Sequence, residues 1–156
     1  MTQFLGTHLN KLDSKGRISI PASFRAALRG ESAVPASASP AVSGTGGPAI
    51  VLRRSHILPC IDVWPLAMLQ KAAAQLEALD PLSPEHDALA ARVYGDSYPT
   101  EPDKEGRIVV PDRYLAHAAI TEAVAVTGRG LYFQLWEPQA SEQRLAQVYA
   151  NQGRAA

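Results

Sequence analysis

A nine-position pattern, Asp-x-x-Gly-Arg-Ile-x-(Ile/Val)-Pro, occurs twice in this chain, at residues 13–21 and again at 103–111. Asp13, Gly16, Arg17, Ile18 and Pro21 recur as Asp103, Gly106, Arg107, Ile108 and Pro111. A chain that writes the same turn-and-strand unit twice is constrained to a fold with two equivalent halves. In each copy the glycine supplies a turn position with positive φ, and the aspartate accepts backbone N–H bonds from residues just ahead of it. Pairing of the arginine with that aspartate stiffens the turn. A short strand follows (17–20 and 107–110), then the proline that ends it, then a short helix.

The repeat extends beyond the motif. Residues 30–47, GESAVPASASPAVSGTGG, contain four Gly, two Pro, four Ser and four Ala. Such a composition buries too little apolar surface to offset its ordering entropy, so a flexible loop is expected there. With those 18 residues set aside, the offset between copies falls from 90 to 72, and Trp64 comes to lie on Trp136. The first copy is therefore read as carrying an insertion. Each copy continues with a pair of β-rich segments, 49–52 with 60–64 and 123–127 with 131–136, and closes with a helix, 66–79 and 138–150. Thr127-Gly-Arg-Gly reads as a hairpin turn, since no helix follows it to make a phosphate loop. Ser83 is the expected N-cap of a connector helix over 84–94. The organisation is thus a first repeat over 1–80, a connector over 81–96 and a second repeat over 97–156. A unit of about 60 residues buries only about 60% of its unfolded surface, so the two are expected to pack together or interleave.

Charge separates the copies. The chain is 46% hydrophobic and 19% charged with a formal net charge of zero, which by itself advertises no polyanionic partner. Locally, residues 1–30 hold Lys11, Lys15, Arg17, Arg25 and Arg29 against Asp13 alone. Residues 98–120 hold Lys104, Arg107 and Arg113 against Glu101, Asp103, Glu105 and Asp112. Lys15 is matched by Glu105. The first copy has the basic character that phosphate contacts need; the second is expected to be chiefly structural.

Other chemistry is sparse. A single cysteine, Cys60, excludes an intrachain disulfide and points to a reducing compartment. The N-terminus lacks the features of a signal peptide, and no window offers the roughly 18–20 apolar residues of a membrane span; a cytoplasmic location is expected. His56 and Cys60 are four apart, but Pro59 opposes a helix that would align them, and too few ligands accompany them for zinc. No nucleophile elbow or Cys/His pairing occurs, so neither catalysis, a metal, a cofactor nor a small-molecule substrate is expected. Leu66, Leu69, Leu76 and Leu79 recur at helical spacing and should face the core or a neighbouring protomer.

With the motif present in both halves, as LDSKGRISIPASFR and PDKEGRIVVPDRYL, and a helical connector between them, the chain resembles the MraZ family. The resemblance spans nearly the whole chain apart from 30–47. Its tandem units are similar to the SpoVT/AbrB-type DNA-binding fold, which implies an α+β, mainly β body: an interlaced swapped-hairpin barrel built from two repeats, with helices at the periphery. It further implies a nucleoid-associated bacterial transcriptional regulator of the division and cell-wall gene cluster. Such a regulator would bind tandem repeats in double-stranded promoter DNA as a homo-oligomeric ring, an octamer or a dodecamer. On this resemblance Lys15 and Arg17 face DNA, with Lys11, Arg25 and Arg29 beside them, while Asp13, Gly16, Asp103, Gly106 and Arg107 build the turns. The alternative is an AbrB-like antitoxin or protein-interaction module; the short tail YANQGRAA offers little for that role.

Overall fold

Both copies of the motif make the turn their sequence dictates. In this computed structural model, which describes residues 3–31 and 49–154, Gly16 and Gly106 have φ of 77° and 78°. The first half contributes strands β1 (Thr7–Lys11) and β2 (Arg17–Ser19), helix α1 (Ala22–Glu31), strands β3 (Ile50–Arg54) and β4 (Ile61–Pro65), and helix α2 (Leu66–Ala72), which tightens into a 3₁₀ segment, Ala73–Ala78. Helix α3 (Pro84–Ala90) and a π-helical turn (Ala91–Gly95) connect the halves. The second half repeats the order with β5 (Tyr98–Thr100), β6 (Arg107–Val109), α4 (Asp112–Ala118), β7 (Ala123–Gly128), β8 (Phe133–Trp136) and α5 (Pro138–Arg154).

The halves interleave by exchanging strands. Six strands form one antiparallel sheet in the order β1-β7-β8-β4-β3-β5. Hairpins β3–β4 and β7–β8 belong to one half each and join through β4 and β8. Each outer strand, however, pairs with the other half's hairpin: β1 with β7, and β5 with β3. The motif strands β2 and β6 pair separately as a two-stranded antiparallel ribbon. An approximate two-fold relates the halves. It passes through Ile18 opposite Ile108 in the ribbon and through Asp62 opposite Gln134 in the sheet. Leu52 faces Tyr98 as Val126 faces His8. The rings of His8 and Phe24 meet edge-on at 5.1 Å, and those of Tyr98 and Tyr114 do so at 6.2 Å.

One core serves both halves. It includes Ile18, Ile20, Phe24, Leu28, Leu52 and Val63 from the first, and Ile108, Val110, Tyr114, Val126, Phe133 and Leu135 from the second. The chain's three phenylalanines, Phe4, Phe24 and Phe133, form one cluster with centroids 5.1–5.3 Å apart. Each such side chain contributes about 1.5–3 kcal/mol on full burial, and a half-chain alone would forfeit the contacts made across the two-fold.

Several expectations are corrected. The fold is α+β, but among the described residues the large sheet is open, because its edge strands β1 and β5 do not pair with each other; the expected barrel is not closed within one chain. Helix α1 runs to Glu31, into the start of the expected insertion; residues 32–47 of that insertion lie outside the described residues. The first hairpin turn, 55–60, is also longer than the second, 129–132, so the Trp64–Trp136 spacing does not carry over to β3 and β7. The expected 66–79 helix changes to 3₁₀ geometry after Ala72, and Leu69 and Leu76 are buried inside the protomer. Only Leu66 and Leu79 of the leucine stripe stay part-exposed. Ser83 does cap α3, its hydroxyl accepting from the His86 N–H at 3.1 Å.

Candidate nucleic-acid interface

The first turn closes on Asp13. Its Oδ1 accepts the backbone N–H groups of Lys15 (2.9 Å) and Arg17 (2.8 Å), and Oδ2 accepts Arg17 Nε at 2.7 Å. The second turn repeats each bond: Asp103 Oδ1 accepts from Glu105 N and Arg107 N, both at 2.9 Å, and Oδ2 accepts Arg107 Nε at 3.1 Å. The backbone N–H bond from the arginine, reinforced by its guanidinium, holds each aspartate below its ordinary 3.8 although partial desolvation opposes the shift. Arg107 additionally pairs with Glu105, a contact the first turn cannot make because Lys15 stands there.

The turns are bolted to each other. The Ile20 N–H donates to the Gly106 carbonyl and the Val110 N–H to the Gly16 carbonyl, each at 2.8 Å. The side chain of Arg25 lies over the second turn; a Cβ on Gly106 would stand 2.5 Å from Arg25 Cδ. Arg25 Nε is buried without a partner among the described residues. Arg25 thus spends its stem on packing between the halves, a role its position in α1 does not disclose.

The ribbon therefore has two distinct faces. Ile18 and Ile108 point into the core, while Arg17, Ser19, Arg107 and Val109 point outward, with Arg17 opposite Val109 and Ser19 opposite Arg107. Arg17 and Arg107 share one face, with Lys15 exposed at the end of its turn. Lys11 is exposed at the end of β1 and Arg29 is exposed on α1. Sequence reasoning assigned the two motifs to separate roles and did not find that they stand side by side. The two-fold pairing of Ile18 with Ile108 is the feature that brings them together, and identical motifs alone do not announce it.

This doubled turn is the feature to compare with other proteins. A family model described as "MraZ protein, putative antitoxin-like" matches residues 3–40 and 93–155, both motifs included. The chain is 48% identical over 148 residues to a protein of Gluconacetobacter diazotrophicus named transcriptional regulator MraZ, covering 95% of this chain and 87% of that one. The chain belongs to the MraZ family. A second MraZ protein of the same name, from Gluconobacter oxydans, is 46% identical over 92% of this chain and 81% of its own. One from Rickettsia rickettsii is 33% identical over 99% and 95%. No helix among the described residues is long and apolar enough to cross a membrane.

Proposed function

We propose that this MraZ protein is a transcriptional regulator that reads double-stranded promoter DNA with the outward face of the β2/β6 ribbon, chiefly through the first turn. The observation that carries the reading is the antiparallel pairing of β2 with β6, which presents Arg17, Lys15 and Arg107 on one surface. A two-stranded ribbon fits the major groove, where arginine can bond guanine bidentately and lysine can hold phosphate. Lys11, Lys15, Arg17 and Arg29 supply the positive charge, with Arg25 bracing the turns from beside them. Arg107, held by both Asp103 and Glu105, keeps a mainly structural role. The relatives' names point the same way.

The reading extends to assembly. Protomers form a homo-oligomeric ring in the cytoplasm, at the nucleoid, in which the open sheet is completed as an interlaced swapped-hairpin body. Exposed apolar groups support this: Leu5 and Leu9 at the β1 edge are 69% and 70% exposed, and Leu145, Val148 and Tyr149 line one side of α5. A ring multiplies the basic face, so weak contacts at each repeat add. The test is a mobility-shift assay with the DNA upstream of the protein's own gene. Arg17→Ala is expected to lose affinity far more than Arg107→Ala does; equal losses would mean that both repeats carry recognition.

A further inference from the structure

An open cleft of about 450 Å³ lies between the end of β3, the π-helical turn and the end of α4. Its volume falls within the roughly 300–1,000 Å³ of small-molecule sites. Arg54, Ser55, His56, Arg92, Asp96 and His117 contribute to its wall. Four of these six carry or can carry positive charge, and only Asp96 is acidic. That is a strongly biased lining for a chain whose formal net charge is zero.

The cleft is also organised. Asp96 accepts the Arg54 backbone N–H at 3.0 Å and the Arg54 guanidinium at 2.8–3.2 Å, which fixes the arginine at the rim. The Arg92 carbonyl accepts Arg53 Nε and Nη2 at 3.2 and 2.8 Å. Arg53 is itself tied to buried Asp62. This fixes the backbone that carries Arg92, while the Arg92 side chain makes no ion pair among the described residues. His117 Nε2 donates to the Leu58 carbonyl at 3.3 Å, leaving Nδ1 as its second polar atom. Asp96 can neutralise Arg54 alone; Arg92 and the two imidazoles are unmatched. Single π turns within helices recur at functional sites.

We infer that this cleft binds a small polyanion of the phosphate class, with Arg92 as its principal free cation and Arg54, His56 and His117 around it. The ligand is a small molecule and not the DNA backbone. The walls of the cleft come from β3, the π-helical turn and α4, and none of Lys11, Lys15, Arg17, Arg25 and Arg29 lines it. The site is independent of the DNA-reading face and stands or falls without it.

Isothermal titration of the full chain with pyrophosphate tests this, at fixed ionic strength and with chloride as the control anion. Saturable binding is expected. Arg92→Ala should weaken it by about tenfold or more, the loss expected for one charge-assisted bond. Arg92→Lys should retain most of the affinity and Lys15→Glu, on the ribbon, all of it. An absence of saturable binding would overturn the inference, as would binding that survives Arg92→Ala but is lost in Lys15→Glu. Displacement of pyrophosphate by duplex DNA would assign the cleft to nucleic acid and overturn the small-molecule reading.

Discussion

Asp13 and Asp103 each receive two backbone N–H bonds and one guanidinium bond, and in the second turn Glu105 pairs with the same arginine. Their carboxyls sit below 3.8 in the folded chain, so the ionised form stabilises the fold fully above that value, and the contribution is lost as pH falls through the lowered one. Asp13→Asn keeps an acceptor for the amides but turns an N–H₂ or a neutral oxygen toward Arg17. The variant is expected to melt at a lower temperature than the parent at pH 7, and the gap should narrow as the melts are taken down toward pH 3. Asp103→Asn should shift the melt in the same direction but by less, since Glu105 still pairs with Arg107. Parent-like melting of both variants at pH 7 would show that the turns hold without their carboxylates. These residues were legible in the sequence, because Asp and Gly at this spacing leave few other turn geometries. Arg25 was not: its packing on Gly106 depends on where the other half lies.

At the scale of elements, the ribbon and the exchanged strands hold the halves together. Ile18 and Ile108 meet on the two-fold, both 1% exposed. Truncating either to alanine should cost about 2–5 kcal/mol, and nearly the same at each, as chemical denaturation can measure; a clear inequality would mean that the two-fold is not kept in the packing. Gly16 and Gly106 occupy positive φ, so alanine at either should destabilise by more than about 1 kcal/mol. Gly106→Ala also displaces Arg25, and adding Arg25→Ala should therefore cost less in that background than in the parent. Strict additivity would place Arg25 elsewhere. The motif strands, the hairpins and the capped connector could be read from alternation, punctuation and Ser83. Strands β1 and β5 could not. They are short and contain no fully buried residue, and they become strands only by pairing with the other half's hairpin, a long-range contact that local pattern does not encode.

Across the whole molecule, the duplication read from residues 13–21 and 103–111 led to an expectation of two halves packed together, and one core draws residues from both. Closure of the sheet was expected from the family resemblance and is absent among the described residues; the proposed assembly would complete it. Light scattering is expected to report a multiple of 16.7 kDa at micromolar protein; a monomer would remove the ring from the account. The basic face of the ribbon is the central claim, and the salt dependence of DNA binding tests it most directly. Fluorescence anisotropy with a labelled duplex from upstream of the gene would be read across a salt series for the parent and for Lys15→Ala. Lys15 is exposed and its side chain carries no bond that closes the turn, so its loss should leave the melting temperature unchanged. The slope of log affinity against log salt should flatten by about one unit for each protomer engaged, with weaker binding throughout. Parent affinity and parent slope in Lys15→Ala would contradict the account and place the DNA, if any is bound, on another surface.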